Sequence, residues 1–306
     1  MCKQVAKGVW PTMVTPFNKD WTIDYEGLEE LVEWYLTNNV DGLFAVCQSS
    51  EMFFLEREER NELARAVVKF AKGRCSVVAS GHVSDTPEEQ IKDIIEMGST
   101  GVDAVVLVSN RLIKEGEDES KWFENLESLL NAIPPEINLG MYECPYPFRH
   151  YLSDEMVEYL SSTQRFLFLK DTSSDLKILK KRAELVKNGN LRLYNANSAT
   201  LLESLRFGYS GFSGVMANFH PQLYHWLYKN RERKEDLVQN LQDFLGLSSM
   251  IEMYGYPRVA KYFLKGENLA IEETTRGNGN LGLENSVKEL AKQLKRQSLY
   301  WERICK

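Results

Sequence analysis

Lys170 is the residue whose position most clearly suggests chemistry, because it follows the apolar run of the segment RFLFLKDTSSD (165–175). A lysine amine that is partly removed from water has a lowered pKa, and the neutral amine can attack a carbonyl to form a Schiff base. The alternatives are a surface charge or an ion pair with Asp171. That ion pair is geometrically poor, because adjacent strand residues point to opposite faces. The residues alone leave these roles open.

Tyr142 is the candidate partner of Lys170. It ends the apolar run INLGMY (137–142), which lies one strand–helix unit before the lysine. A phenol there could exchange protons with a carbon attached to the lysine. A tyrosine at a strand end is more often a packing residue, so Tyr142 supports the nucleophile hypothesis only together with Lys170.

Short apolar runs alternate with amphipathic patterns along most of the chain. We predict strands at the start of 8–17 and over 42–46, 76–80, 103–109, 137–142, 165–170, 191–196 and 211–216. We predict helices after Asp24 and near 56–72, 87–98, 119–132, 153–161, 175–187, 199–207 and 221–230. The strands are continuously apolar, as in a parallel sheet that is buried on both faces. Eight such units predict an α/β fold, a (β/α)₈ barrel over residues 1–230, with a C-terminal helical extension over 231–306. An open doubly wound sheet is the rival.

Composition narrows the class of protein. The 306 residues carry a net charge of −7, which argues against general nucleic-acid binding but allows a locally basic site for an anionic small molecule. No apolar run reaches the roughly 18 residues of a membrane span, and the N-terminus does not resemble a signal peptide. Five cysteines without metal-ligand spacing favour a reduced, cytoplasmic protein. The pattern GNGNLG (277–282) lies too late in the chain for a dinucleotide site, and we interpret it as a loop.

The active site of such a barrel lies at the carboxyl ends of its strands. The predicted strand ends carry Ser49, Glu51, His82, Asn110, Arg111, Tyr142, Lys170, the segment 195–198 and Ser213. Lys170 is the only lysine among them.

Five segments resemble the family of dihydrodipicolinate synthase and N-acetylneuraminate lyase, which are pyruvate-handling class I aldolases on a (β/α)₈ barrel. The segments are GVWPTMVTPF, CQSSEMFFLEREER, MYECP, FLKDTS and GYSGFSGVMAN, and the resemblance covers nearly the whole chain. It implies that Lys170 is the Schiff-base lysine and Tyr142 the proton-transferring tyrosine. It also implies that Ser49 holds the pyruvate carboxylate and that the Ser213 carbonyl lines the pocket. Glu51 matches a glutamate that is more often structural than catalytic.

Several positions depart from the family pattern. Gln48 replaces the first hydroxyl of a Thr-Thr pair, Ser50 replaces the following glycine, and Leu112 replaces a relay tyrosine. An amide cannot relay a proton as a hydroxyl does. The residues that bind the second substrate in the two best-known family members are also altered, because Pro147 replaces an arginine, and Ser198 and Ala199 replace acidic residues.

We therefore predict a lyase or aldolase that forms a Schiff base with pyruvate or a related 2-oxo acid. The predicted substrate-binding residues are Ser49, Gln48, Ser50, Ser213, Arg111, Arg149, His82 and Asn197. Dehydration of a 2-oxo-3-deoxy sugar acid and non-catalytic 2-oxo acid binding are the alternatives. The resemblance further implies a homotetramer or dimer that uses no metal and no organic cofactor.

Overall fold

Eight parallel strands form one sheet in a computed structural model that describes residues 4–277 and 282–305. The strands are β1 (Gly8–Val9), β2 (Gly42–Phe44), β3 (Ser76–Ala79), β4 (Ala104–Val108), β5 (Leu139–Tyr142), β6 (Phe166–Asp171), β7 (Arg192–Asn195) and β8 (Gly211–Phe212). Their spatial order is β1-β8-β7-β6-β5-β4-β3-β2, and a parallel bridge between Thr12 and Phe44 closes the ring. The predicted (β/α)₈ barrel is therefore confirmed.

Eight helices connect or follow the strands. They are α1 (Tyr25–Thr37), α2 (Arg57–Ala71), α3 (Pro87–Gly98), α4 (Glu119–Ala132), α5 (Asp154–Ser162), α6 (Leu176–Val186), α7 (Leu201–Phe207) and α8 (Pro221–Asn230). Local signals explain several starts, since Asp24 accepts a hydrogen bond from the Gly27 N–H and a proline begins α3.

Three further helices form the C-terminal extension, namely α9 (Asp236–Ser248), α10 (Arg258–Lys265) and α11 (Asn285–Ile304). A 3₁₀ helix, Ser249–Met253, connects α9 to the loop before α10. The extension packs on the barrel near α8, where Phe219 contacts Phe263 and His220 accepts or donates a hydrogen bond with Ser298. Among the helices of the described ranges, none combines the length and apolar character needed to cross a membrane.

Two strands end clearly earlier than their apolar runs predict. The predicted strands 42–46 and 211–216 stop at Phe44 and Phe212. Short 3₁₀ helices, Gln48–Ser50 and Val215–Asn218, follow these two strand ends. The first of these turns carries Gln48 and Ser49, and the second contains the fully buried Asn218. Residues 278–281 of the GNGNLG segment lie outside the described residues.

Aromatic side chains fill the barrel interior beneath the strand ends. Phe168 contacts Trp10 and Tyr194 at ring-centroid distances of 5.3 Å and 4.6 Å. Phe44 lies edge-on to both Phe168 and Tyr142. Because side chains alternate along a strand, the inward position of Phe168 on β6 also directs Lys170 inward, one layer higher. This aromatic layer supports the side chains above it.

Candidate active site

Lys170 and Tyr142 lie next to each other at the barrel mouth. They are register partners on β6 and β5, and the Lys170 Nζ lies 4.2 Å from the centroid of the Tyr142 ring. Burial lowers the pKa of the Lys170 ammonium, and it raises the pKa of the Tyr142 phenol well above its ordinary value. The lysine is therefore biased toward the neutral amine that attacks carbonyls, and the phenol toward its protonated form.

The residues that follow this pair point to the opposite face. Asp171 forms an ion pair with Arg182 at 2.7 Å, and Glu143 pairs with the same guanidinium at 2.7 Å. Asp171 also accepts a hydrogen bond from the Tyr209 hydroxyl. These carboxylates contact α6 and its surroundings, so an ion pair between Lys170 and Asp171 is not formed.

The turn after β2 supplies the hydroxyl and amide groups of the mouth. The Tyr142 hydroxyl donates to the Gln48 Oε1 at 3.2 Å, and the Ser49 hydroxyl donates to the Thr12 Oγ1 at 3.1 Å. Ser50 stabilises the turn itself, because its Oγ accepts from the Cys47 N–H and donates to the Cys47 carbonyl. Gln48 and Ser49 therefore face the mouth, whereas the Ser50 side chain is used within the turn.

Glu51 joins the barrel to the C-terminal extension. Its backbone is left-handed, with φ of +63°, and its carboxylate accepts from the Lys261 Nζ at 3.2 Å. The same carboxylate accepts from the backbone N–H groups of Arg276 and Gly277 at 2.6 Å and 2.8 Å. With its oxygens occupied in this way, Glu51 has a structural role at the edge of the mouth.

Lys261 provides a useful contrast with Lys170, since both lysines are buried. Burial lowers the pKa of Lys261 to about 8. Its Nζ is nevertheless bound to Glu51 and to the Thr274 carbonyl oxygen, at 3.2 Å and 2.6 Å. Lys261 does not line the cavity described next, whereas Lys170 does. A lowered pKa is therefore common to both lysines, and access to the cavity is what distinguishes Lys170 from Lys261.

A cavity of about 610 Å³ opens above Lys170. It brings together six of the residues predicted for the site: Lys170, Tyr142, Gln48, Ser49, Arg149 and Asn197. Its other lining residues include the aromatic side chains Phe53, Phe54 and Tyr146. An amine, a phenol, a hydroxyl and a guanidinium in one cavity can bind an anionic carbonyl compound and exchange protons with it.

Four predicted binding residues lie outside the lining of this cavity: Ser50, Ser213, Arg111 and His82. His82 is fully buried, with Nε2 bonded to Gln90 and Nδ1 accepting from the Val108 N–H at 3.0 Å. Burial lowers its pKa to about 4. Arg111 pairs instead with Asp85 at 2.9 Å, and Ser213 is completely buried at the end of β8. The side chains of His82 and Arg111 are thus directed to other partners. The prediction for Ser213 concerned its backbone carbonyl and stays a prediction.

The C-terminal extension contributes cavity residues that the sequence did not reveal. Glu252, Met253, Tyr256 and Pro257 all line the cavity. The Tyr256 hydroxyl accepts from the Asn218 amide at 3.1 Å, beside the turn after β8. These residues lie between helices, where no periodicity marks them, and only the folding of the extension over the mouth brings them to the site.

Comparison with known proteins agrees with this geometry. The model of the dihydrodipicolinate synthetase family matches residues 5–296. A 4-hydroxy-tetrahydrodipicolinate synthase from Staphylococcus epidermidis is 25% identical over 232 residues, which are 76% of this chain and 77% of that protein. A protein of the same name from Coxiella burnetii is 26% identical over 215 residues, or 70% of this chain and 71% of that protein.

Solved structures share the fold at lower identity. A dihydrodipicolinate synthase from Bacillus anthracis superimposes with a TM-score of 0.86 at 20% identity, covering 96% of this chain and 99% of that one. A prophage protein of the dihydrodipicolinic acid synthase family from E. coli K12, solved with pyruvate, gives a TM-score of 0.84 at 20% identity and covers 97% and 98%. Because the family model spans nearly the whole sequence, this chain belongs to the dihydrodipicolinate synthetase family.

Proposed function

We propose that this protein is a lyase or aldolase that forms a Schiff base between Lys170 and pyruvate or a related 2-oxo acid. The observation that carries the proposal is the cavity-lining Lys170 amine, 4.2 Å from the ring centre of Tyr142 on the neighbouring strand. Family membership supports the proposal, as do the relatives named as synthases and the neighbour solved with pyruvate.

In this mechanism the neutral amine of Lys170 attacks the ketone carbon, and loss of water leaves an iminium. The iminium withdraws electrons from the neighbouring bond, so a carbon–carbon bond can break to an enamine or form from one. Tyr142 delivers or removes the proton at the carbon next to the iminium. Ser49, which faces the cavity beside Thr12, binds the carboxylate of the 2-oxo acid.

The wider part of the cavity takes the second substrate. Arg149 and Asn197 supply polar groups there, and the Arg149 guanidinium donates to the Tyr151 hydroxyl at 3.0 Å. Phe53 and Tyr146, with ring centroids 4.9 Å apart, add an apolar wall. This mixed lining suits an aldehyde with both a polar and an apolar part.

Reductive trapping tests the proposal. Incubation with pyruvate and borohydride should add the mass of reduced pyruvate to the peptide that contains Lys170. Lys261 serves as an internal control, because it is also buried but is bound to Glu51. A panel of 2-oxo acids that leaves Lys170 unmodified, or that modifies Lys261 equally, would contradict the proposal.

A second candidate, non-catalytic binding of a 2-oxo acid, is favoured by one observation. Tyr142 donates a hydrogen bond to the amide oxygen of Gln48, a group that cannot pass a proton on. A binding protein would form the adduct but release no product. Pyruvate release from 4-hydroxy-2-oxo acids, followed with a coupled assay, separates an aldolase from a binder, and product analysis would reveal dehydration instead.

A further inference from the structure

The proton path from Tyr142 ends at Gln48. The Tyr142 hydroxyl donates a hydrogen bond to the Gln48 Oε1, at 3.2 Å, and it also interacts with the Cys144 thiol. The Cys144 thiol lies near the same oxygen, at 3.7 Å. Schiff-base formation needs further proton transfers, because the ketone oxygen must leave as water. A carboxyl group that lines the cavity can supply that proton.

Two carboxylates line the cavity, and their surroundings differ. The Glu51 carboxylate accepts hydrogen bonds from the Lys261 ammonium and from two backbone N–H groups. The Glu252 carboxylate forms no hydrogen bond and no ion pair with any residue in 4–277 or 282–305, and the one charge that acts on its pKa is that of Lys170. It lies on the 3₁₀ helix Ser249–Met253, which packs against Val215–Asn218 after β8, and Val215 also lines the cavity. Glu252 is therefore a carboxylate at the cavity mouth with its oxygens available.

We propose that Glu252 is the acid–base residue that removes and returns water at the Lys170 Schiff base, an inference that rests on the proposed function. Addition of the neutral Lys170 amine to the 2-oxo acid gives a carbinolamine. The protonated Glu252 carboxyl donates its proton to the carbinolamine hydroxyl, the C–O bond breaks, and water leaves. The nitrogen lone pair forms the C=N bond of the iminium. For hydrolysis, the Glu252 carboxylate accepts a proton from the attacking water, so all atoms and charges balance.

The electrostatics around Glu252 fit this role. Burial against the cavity wall raises the pKa of the Glu252 carboxyl, although part of the side chain remains open to solvent, and the Lys170 ammonium offsets part of the rise. In turn, Glu252 is one of the groups that oppose the lowering of the Lys170 pKa by burial. The charge of Glu252 also contributes to the raised pKa values of the Tyr224 and Tyr256 phenols, after the larger effect of burial. Glu51 and Arg149 are the other charged groups of the cavity lining.

The rate of pyruvate adduct formation tests this inference without the second substrate. Rapid mixing with pyruvate, followed by borohydride quenching at set times, gives that rate across a pH series. We expect Glu252→Gln to slow adduct formation by about 10²-fold, because the amide cannot donate the proton. The final amount of adduct should not change. In the unchanged protein, the contribution of Glu252 falls as pH rises through its carboxyl pKa, and Glu252→Gln should lack this dependence.

Two variants distinguish proton transfer from a structural effect. Acetate in the buffer should restore the rate of Glu252→Ala in proportion to its concentration, and Glu252→Asp should retain part of the rate. Glu29→Gln removes an exposed carboxylate on α1, outside the cavity, and should behave as the unchanged protein. Circular dichroism confirms that each variant is folded.

The outcomes separate the two proposals. An unchanged rate and pH profile in Glu252→Gln would overturn the role of Glu252 while leaving the Schiff base intact. The role of Glu252 would also be overturned if acetate failed to restore the rate of Glu252→Ala and Glu252→Asp retained none of it. The slow rate would then reflect a structural effect of the substitution and not the loss of a proton donor. If the unchanged protein forms no adduct, the proposed function fails, and this inference fails with it.

Discussion

Consecutive residues at the ends of strands β5 and β6 lie on opposite faces of the barrel wall and have different surroundings. On the inner face, Lys170 lies beside the Tyr142 ring and opens to the cavity. On the outer face, Glu143 and Asp171 share the guanidinium of Arg182. The outer charges are bound to fixed partners, whereas the inner amine has an aromatic face and a space for a ligand.

This difference teaches that burial of charge does not mark function by itself. Within the outer cluster, burial would raise the pKa of Asp171, but Arg182, Tyr209 and Ser173 together lower it below its ordinary value. Burial and the charge of Asp171 raise the pKa of Glu143. The Arg182 guanidinium thus forms ion pairs with both carboxylates and links the ends of the strands to α6. Substitution of the inner residues should lower turnover, and substitution of the outer residues should lower the free energy of unfolding.

Lys170→Met gives the largest expected effect on the inner face. Turnover should fall by about 10⁴-fold or more, because no other group in the cavity can form the iminium. The melting temperature should not fall, since the substitution removes a buried ammonium that has no fixed counter-ion. Mass spectrometry after borohydride trapping, with calorimetry alongside, checks both statements. A persistent adduct in this variant would place the nucleophile elsewhere.

Tyr142→Phe keeps the ring beside Lys170 but removes the phenolic proton. Turnover should fall by about 10²- to 10⁴-fold, the range of general acid–base catalysis, while the pyruvate adduct still forms. Tyr194→Phe is the matched control, because the Tyr194 hydroxyl bonds to the Ala6 carbonyl away from the cavity. Equal loss of turnover in both variants would assign the effect to packing of the aromatic layer.

Arg182→Met tests the outer face. Two buried carboxylates would lose their cation, so the free energy of unfolding should fall by about 3–5 kcal/mol. Urea titration measures this change. Lys187→Met, which breaks the exposed pair with Glu184, is the control and should leave the urea midpoint unchanged. A folded Arg182→Met protein should still form the pyruvate adduct. If the adduct were lost while the free energy of unfolding stayed the same, the outer face would have a catalytic role and not a stabilising one.

Tyr209→Phe gives the smallest expected change. It removes one hydrogen bond to the Asp171 carboxylate, at 2.6 Å, and should lower the free energy of unfolding by about 1.5–3 kcal/mol. Turnover at a temperature where the protein is folded should remain the same. A variant with unchanged stability would show that Arg182 and Ser173 suffice to hold Asp171.

Much of the fold and the centre of the candidate site were predictable from local patterns. The alternation of apolar runs and amphipathic segments gave the eight strand–helix units, and strand periodicity placed Lys170 and Asp171 on opposite faces. Prediction was weaker for the side chains of His82 and Arg111. Their strand-end positions were evident, but the direction of each side chain depends on turns and on partners such as Gln90 and Asp85.

The sequence by itself determined the barrel, its parallel order and the pairing of Lys170 with Tyr142, because these follow from short-range periodicity and from one rule about strand ends. Only the tertiary structure decided which groups complete the cavity. Glu252 and Tyr256 reach it because the extension folds back over the mouth, where Lys261 binds Glu51 across 210 positions of the chain. Such contacts depend on how whole helices pack, and no local pattern encodes them.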